Sequence, residues 1–316
     1  MCCSVTPGVD VKFSDTILYA AEARNPEGGY VHVLGYQNVA QNDVLGFDGW
    51  SLGRIGKLVK TLNPFRKSPT GGNAMILPFP ALPGTMTRDN VLDAEKCPAL
   101  LDDMRKAVRH PVAAASSVQS ASFSLDPVPK IQIFDAAGIY TVVLARDARA
   151  IPDALAQVPS EKRPALNKGL FDDYAQWYPD WTIALCCFNN AEAKRALPML
   201  WWYEPMSDEE LFLPTLDAHD GNSPDLDANV TVDHTIVVST YRPGDDHGSG
   251  ENAVYPKRFY PVEFKDAVPP QLEHFVMDHV IGRDYYDQMR NGDMYCVLKA
   301  VRNGTFDPFR RLPPGA

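Results

Sequence analysis

Residues 16–21 and 30–36 are rich in β-branched and aromatic side chains. Between them, Asn25-Pro26-Glu27-Gly28-Gly29 is turn chemistry, so the two stretches predict an antiparallel hairpin. In the second stretch His32 alternates with Val31 and Val33 and is expected on the opposite face, as a structural or solvated side chain. Residues 73–77 read as a further strand, closed by Pro78, Pro80 and Pro83, each of which lacks the N–H that a ladder needs. Later strands are predicted at 131–134, 139–145, 181–188, 198–204, 231–238 and 293–301, with a turn at Asp135-Ala136-Ala137-Gly138.

Helical spacing falls elsewhere. Leu52, Ile55, Leu58, Val59 and Leu62 share one face, as do Leu100, Leu101, Met104 and Val108 within a helix expected over 92–108. Residues 151–158 and 162–177 predict two more helices, with Pro164 suited to a first turn. A last helix is expected over 271–280. The result is an α+β fold of largely antiparallel sheets with packed helices. At 316 residues the length prior favours two units, drawn as a β-rich region 1–125 with a basic helical insertion at 43–70, and an α+β region 126–316.

Charge adds one local contrast. The chain carries a formal charge of −10, which argues against general nucleic-acid binding. Within 42–72, however, Arg54, Lys57, Lys60, Arg66 and Lys67 outnumber Asp43 and Asp48. The basic helix 50–62 either packs on its own domain or docks on a membrane surface or an acidic protein partner. No basic and apolar leader follows Met1, no run of about 18 apolar residues occurs, and six cysteines, four in adjacent pairs, do not form a disulfide framework. The expectation is a cytoplasmic protein without a transmembrane segment.

Chemistry concentrates at Met1-Cys2-Cys3. Removal of Met1 leaves Cys2 with a thiol beside its own α-amine, a nucleophile next to a base. The plain alternative is a pair of small residues in a terminal strand. Cys186 and Cys187 sit on a predicted strand and point to opposite faces, which prevents both from holding one ion without distortion. The acid-rich loop 217–227 departs from the calcium-loop pattern and reads as a solvated turn. His274, Asp278 and His279 do not form the H-E-x-x-H pattern, and a salt-bridged surface is the expectation there. No metal site or cofactor is predicted.

The opening Met1-Cys2-Cys3-Ser4, the stretch Ser14-Asp15-Thr16-Ile17-Leu18-Tyr19-Ala20 and the run Ala74-Met75-Ile76-Leu77-Pro78-Phe79-Pro80 resemble an uncharacterised group of bacterial proteins. Members of that group begin Met-Cys-Cys and carry an Ala-Met-Ile-Leu-Pro-x-Pro motif. The likeness covers residues 1–84 and implies no activity. More faintly, a processed cysteine on a first strand is similar to the amino-terminal-nucleophile amidohydrolases.

That second resemblance implies an amidohydrolase or peptidase acting on a small-molecule amide or a peptide. Cys2 is its nucleophile, Asn73 and Asn38 are candidate oxyanion donors, and Arg24 is a candidate for binding a substrate carboxylate. The competing class is a non-enzymatic binding or assembly protein whose cysteine pairs are structural, or hold a soft metal if Cys2, Cys3, Cys186 and Cys187 converge.

Overall fold

The computed structural model describes residues 9–26, 28–44, 71–109, 129–217, 221–244, 254–311 and 313. The predicted hairpin is present and long: β1, Val9–Arg24, pairs antiparallel with β2, Tyr30–Val44. The chain continues through β3, Gly72–Phe79, and β4, Val91–Leu92, to helix α1, Leu100–Arg109. The second predicted hairpin follows as β5, Ile131–Ala136, and β6, Tyr140–Ala145. Its turn places Ala137 and Gly138 at positive φ (45° and 74°), the geometry of a tight connection that suits the strand twist.

Next come a short helix α2, Ile151–Ala154, helix α3, Lys168–Trp177, and strands β7, Thr182–Asn189, β8, Met199–Tyr203, and β9, Glu210–Leu213. The remainder holds β10, Asn229–Val232, β11, His234–Thr240, β12, Tyr260–Pro261, β13, His279–Asp284, β14, Asp287–Arg290, β15, Asp293–Val297, helix α4, Leu298–Arg302, and β16, Phe309–Arg311.

Two sheets carry the architecture. One has the order β12-β13-β11-β1-β2-β8-β4; the other is β3-β7-β6-β5. Among the described residues every pairing in these two sheets is antiparallel except β1 with β11, where Thr16 meets His234 and Glu22 meets Thr240. The fold is therefore α+β, with largely antiparallel sheets and four α-helices among the described residues. Leu18, Leu34, Tyr36 and Trp201 from the first sheet bury against Met75, Leu77, Val142 and Cys186 from the second. On the outer face of the first sheet, Tyr19, Val33 and Leu200 pack on Leu101 and Met104 of α1; on that of the second, Ile76, Val143 and Leu185 pack on Leu170 and Tyr174 of α3. Period-two alternation thus separates two cores on each sheet.

Proline explains several departures from the sequence-based expectations. β3 runs through Pro78, paired with Ile183, because β3 is a sheet end and a missing N–H can face outward there. The helix expected over 92–108 starts only at Leu100: Val91 and Leu92 pair with β8, and Pro98 precedes the helix. Pro164 does not open a helix; α3 begins at Lys168, where the Asn167 side chain accepts from the Gly169 N–H at 3.0 Å. The helix expected over 271–280 is replaced by turns at 271–276 and the start of β13. The basic helix 50–62 lies outside the described residues.

Candidate functional site

Between the ends of the two sheets opens a cleft of about 810 Å³. One wall runs from Thr87 through β4 to Glu95. It is shaped by a single turn of 3₁₀ helix, Arg88–Asn90, capped reciprocally: Thr87 Oγ1 accepts from the Asp89 N–H at 3.1 Å, and Asn90 Oδ1 accepts from the Thr87 N–H at 2.7 Å. Asn90 is buried, and its Nδ2 donates to the Trp202 carbonyl at 2.9 Å, pinning the turn to β8. The Trp202 indole N–H donates back to the Asp89 carbonyl at 3.3 Å, and its ring stacks on Phe275, 6.0 Å between centroids and 20° between planes.

The opposite wall is β5 and its turn. Gln132 joins the two walls, its Oε1 accepting from the Arg88 N–H at 3.0 Å and its Nε2 donating to the Met86 carbonyl at 3.4 Å. Phe134, Asp135, Ala136, Ala137 and Gly138 all border the cleft in succession. Residues of both parities line it, so the strand presents its edge, not one face. Asp135 keeps its carboxylate on the far side of the sheet, accepting from Thr141 Oγ1 at 2.7 Å. Since β4 and β5 each end their sheets, the cleft is bordered by two strand edges with no partner strand among the described residues.

Of the residues singled out from the sequence, Asn73, Arg24, His32, His274, Asp278 and His279 do not line this cleft. Cys2 and Cys3 are outside the described residues. Asn73, on β3, is fully buried; its Nδ2 donates to Asn190 Oδ1 at 3.1 Å and its Oδ1 accepts from the Ala74 N–H at 2.9 Å, so the amide is used within the fold. Arg24 is exposed at the turn end of the first hairpin, opposite Tyr30. Asn38 lies eight residues along β2 from Tyr30, roughly 26 Å at about 3.3 Å per residue, so Arg24 and Asn38 do not meet on one site. His32 is buried edge-on against Tyr203, 5.8 Å between ring centroids, and burial pushes its pKa down to about 4. His274, Asp278 and His279 share no helix: His279 opens β13, its Nδ1 hydrogen-bonds to the accepting Asp278 carboxylate at 2.8 Å, and its ring stacks on Tyr255 at 4.4 Å.

No family model matches the chain, and no curated protein matches it. Among solved structures the fold is similar to baculovirus P35, at 12% identity over 95% of this chain and 92% of that one, with a TM-score of 0.41. It is similar also to the caspase-8/P35 complex (11%, 92% and 89%, TM-score 0.39) and to a mutated baculovirus P35 after caspase cleavage (11%, 90% and 97%, TM-score 0.39). The likeness to the Met-Cys-Cys group and the hydrolase reading built on Cys2 are both corrected: the likenesses found are to P35, in place of amino-terminal-nucleophile hydrolases. At these scores the similarity to P35 is one of chain outline and carries no argument about activity.

The described thiols behave as core residues. Cys186 faces the inter-sheet core, 3.7 Å from the Met199 sulfur, whereas Cys187 faces α3. Burial pushes the Cys187 and Cys296 thiols up to about 12 and Cys97 to about 11, with Asp266 and Asp93 also raising the last. Thiolate is the reactive form, so Cys97, Cys186, Cys187 and Cys296 are expected to resist maleimide at pH 7.5 until denaturant is added. Peptide mapping by mass spectrometry checks this; rapid native labelling of Cys186 would contradict the packing. Among the described residues no helix is long and apolar enough to cross a membrane.

Proposed function

We propose that the protein binds an extended polypeptide segment of a protein partner, taken into the cleft as an added strand along the edge of β5. The observation that carries this reading is the convergence of two sheet ends, β4 and β5, on one cavity. An edge strand offers a row of N–H and C=O groups to an incoming chain, and strand addition uses those groups for affinity and neighbouring pockets for side-chain choice. Trp202, backed by the buried Phe275, and Phe134 supply apolar surface beside the edge, and Asn90 and Gln132 hold the walls in place before anything binds.

Selection of displayed random twelve-residue peptides on the full-length protein tests this. Enriched peptides are expected to slow amide hydrogen exchange over 87–95 and 131–138. N-methylation at alternate peptide positions should abolish binding for one parity and spare the other, because only every second N–H of a strand faces its neighbour. Protection elsewhere, parity-independent loss or failure to enrich any sequence overturns the reading. Caspase-8 is included as a separate arm; binding to it with exchange in the cleft unchanged would also count against the proposal.

A further inference from the structure

We infer that the segment this cleft selects is cationic and carries one large apolar side chain beside its positive charges. The inference rests on the strand-addition reading and adds the chemistry of the occupant. Along the wall from Thr87 to Glu95, the side chains of Asp89, Asp93 and Glu95 are exposed at the rim, against the single cation Arg88. Among the described residues none of these three carboxylates forms an ion pair with a base, whereas some other acids do: Asp147 holds Arg149, Asp227 holds Arg290, Glu210 holds Arg311. Asp93 spends one oxygen on the Glu95 N–H at 2.9 Å, which sets the turn and keeps the carboxylates together.

Beside that rim, the half-buried Trp202 ring, backed by the buried Phe275, forms an apolar ledge. An added strand alternates its side chains, so residues flanking an apolar anchor point away from the ledge toward the rim. Complementary charge at a rim raises the association rate and selects among partners more than it adds affinity, and it weakens with salt. A segment patterned Lys-Phe-Lys satisfies ledge and rim together.

Four nine-residue peptides on one Thr/Val framework test this, with Lys-Phe-Lys, Glu-Phe-Glu, Lys-Ala-Lys or Ser-Phe-Ser at the centre. Fluorescence anisotropy with the full-length protein at low salt is expected to place Lys-Phe-Lys about tenfold tighter than Glu-Phe-Glu and Lys-Ala-Lys. The combined variant Asp89→Asn, Asp93→Asn, Glu95→Gln keeps the turn-forming acceptors. It should weaken Lys-Phe-Lys about fivefold and leave Ser-Phe-Ser unchanged. Equal binding of all four peptides, with the cleft protected from exchange, overturns the charge selection and leaves strand addition standing. No binding by any of the four, together with no enrichment from the random library, overturns both.

Discussion

Replacing Glu22 by Ala is expected to cost about 3–5 kcal/mol of folding stability, the range for removing one partner from a buried ion pair. Glu22 ends the apolar run of β1 with a side chain 1% exposed. Its carboxylate receives Thr240 Oγ1 at 2.7 Å, Arg242 Nε at 3.0 Å and Arg302 Nε at 3.1 Å, and each guanidinium adds a second contact through Nη2. The cluster ties β1, the end of β11 and helix α4 together at one point. Burial alone would raise this carboxyl's pKa; the hydrogen bonds from Arg302, Arg242 and Thr240 outweigh it and hold the value below the ordinary one.

A depressed acid stabilises the fold above the pKa of the unfolded chain, and that contribution is lost as pH falls through the folded value. The gap between Glu22→Ala and the parent should therefore be full at pH 7 and narrow in acid. Urea unfolding at pH 7 and pH 4 reads both. A loss under 1 kcal/mol at pH 7 would mean that the two arginines find water as good a partner.

How far this was legible in the sequence depends on how local each signal is. The hairpin at 16–36, the β5–β6 turn and the opposite faces of Cys186 and Cys187 were readable, because turn residues and period-two alternation act within a few residues. The helix expected at 271–280 does not form. Leu272, Phe275 and Val276 sit at helical spacing, yet they are buried by successive turns beneath the first sheet. Tertiary burial decided there, and the spacing was coincidental.

The cleft was not legible, since Thr87, Gln132, Trp202 and Phe275 are brought together only by sheet order. The one local hint was the cap formed by Thr87 and Asn90. Glu22 carries a readable signal: a carboxylate inside an otherwise apolar strand requires a buried partner. Neither Arg242 nor Arg302 could be named from spacing, because the parallel pairing of β1 with β11 and the placement of helix α4 bring together residues 220 and 280 positions apart.

Asp293→Ala is the second change expected to cost about 3–5 kcal/mol, by leaving several buried donors without acceptors at about 1–3 kcal/mol each. Asp293 opens β15 and is wholly buried. Its Oδ1 accepts from the Thr215 and Leu216 N–H groups at 2.9 and 3.0 Å, and its Oδ2 accepts from the Tyr178 hydroxyl at the end of α3. Its charge also supports Arg310, whose guanidinium burial holds below its ordinary pKa. Asp293→Asn retains an acceptor for the two backbone donors and should cost less than half as much as Asp293→Ala. Desolvation raises the Asp293 pKa despite the hydrogen bonds from Tyr178, Leu216 and Thr215. An acid raised above its unfolded value favours the fold below the unfolded pKa, and this advantage is lost as pH rises through the folded one. The parent should therefore gain on the Asn variant as pH falls from 7 to 4, close to the ordinary carboxyl value. Denaturant midpoints for the three proteins at both values test the ordering. If Asn proves as damaging as Ala, the carboxylate's charge on Arg310, and not its role as acceptor, is what holds this corner of the fold.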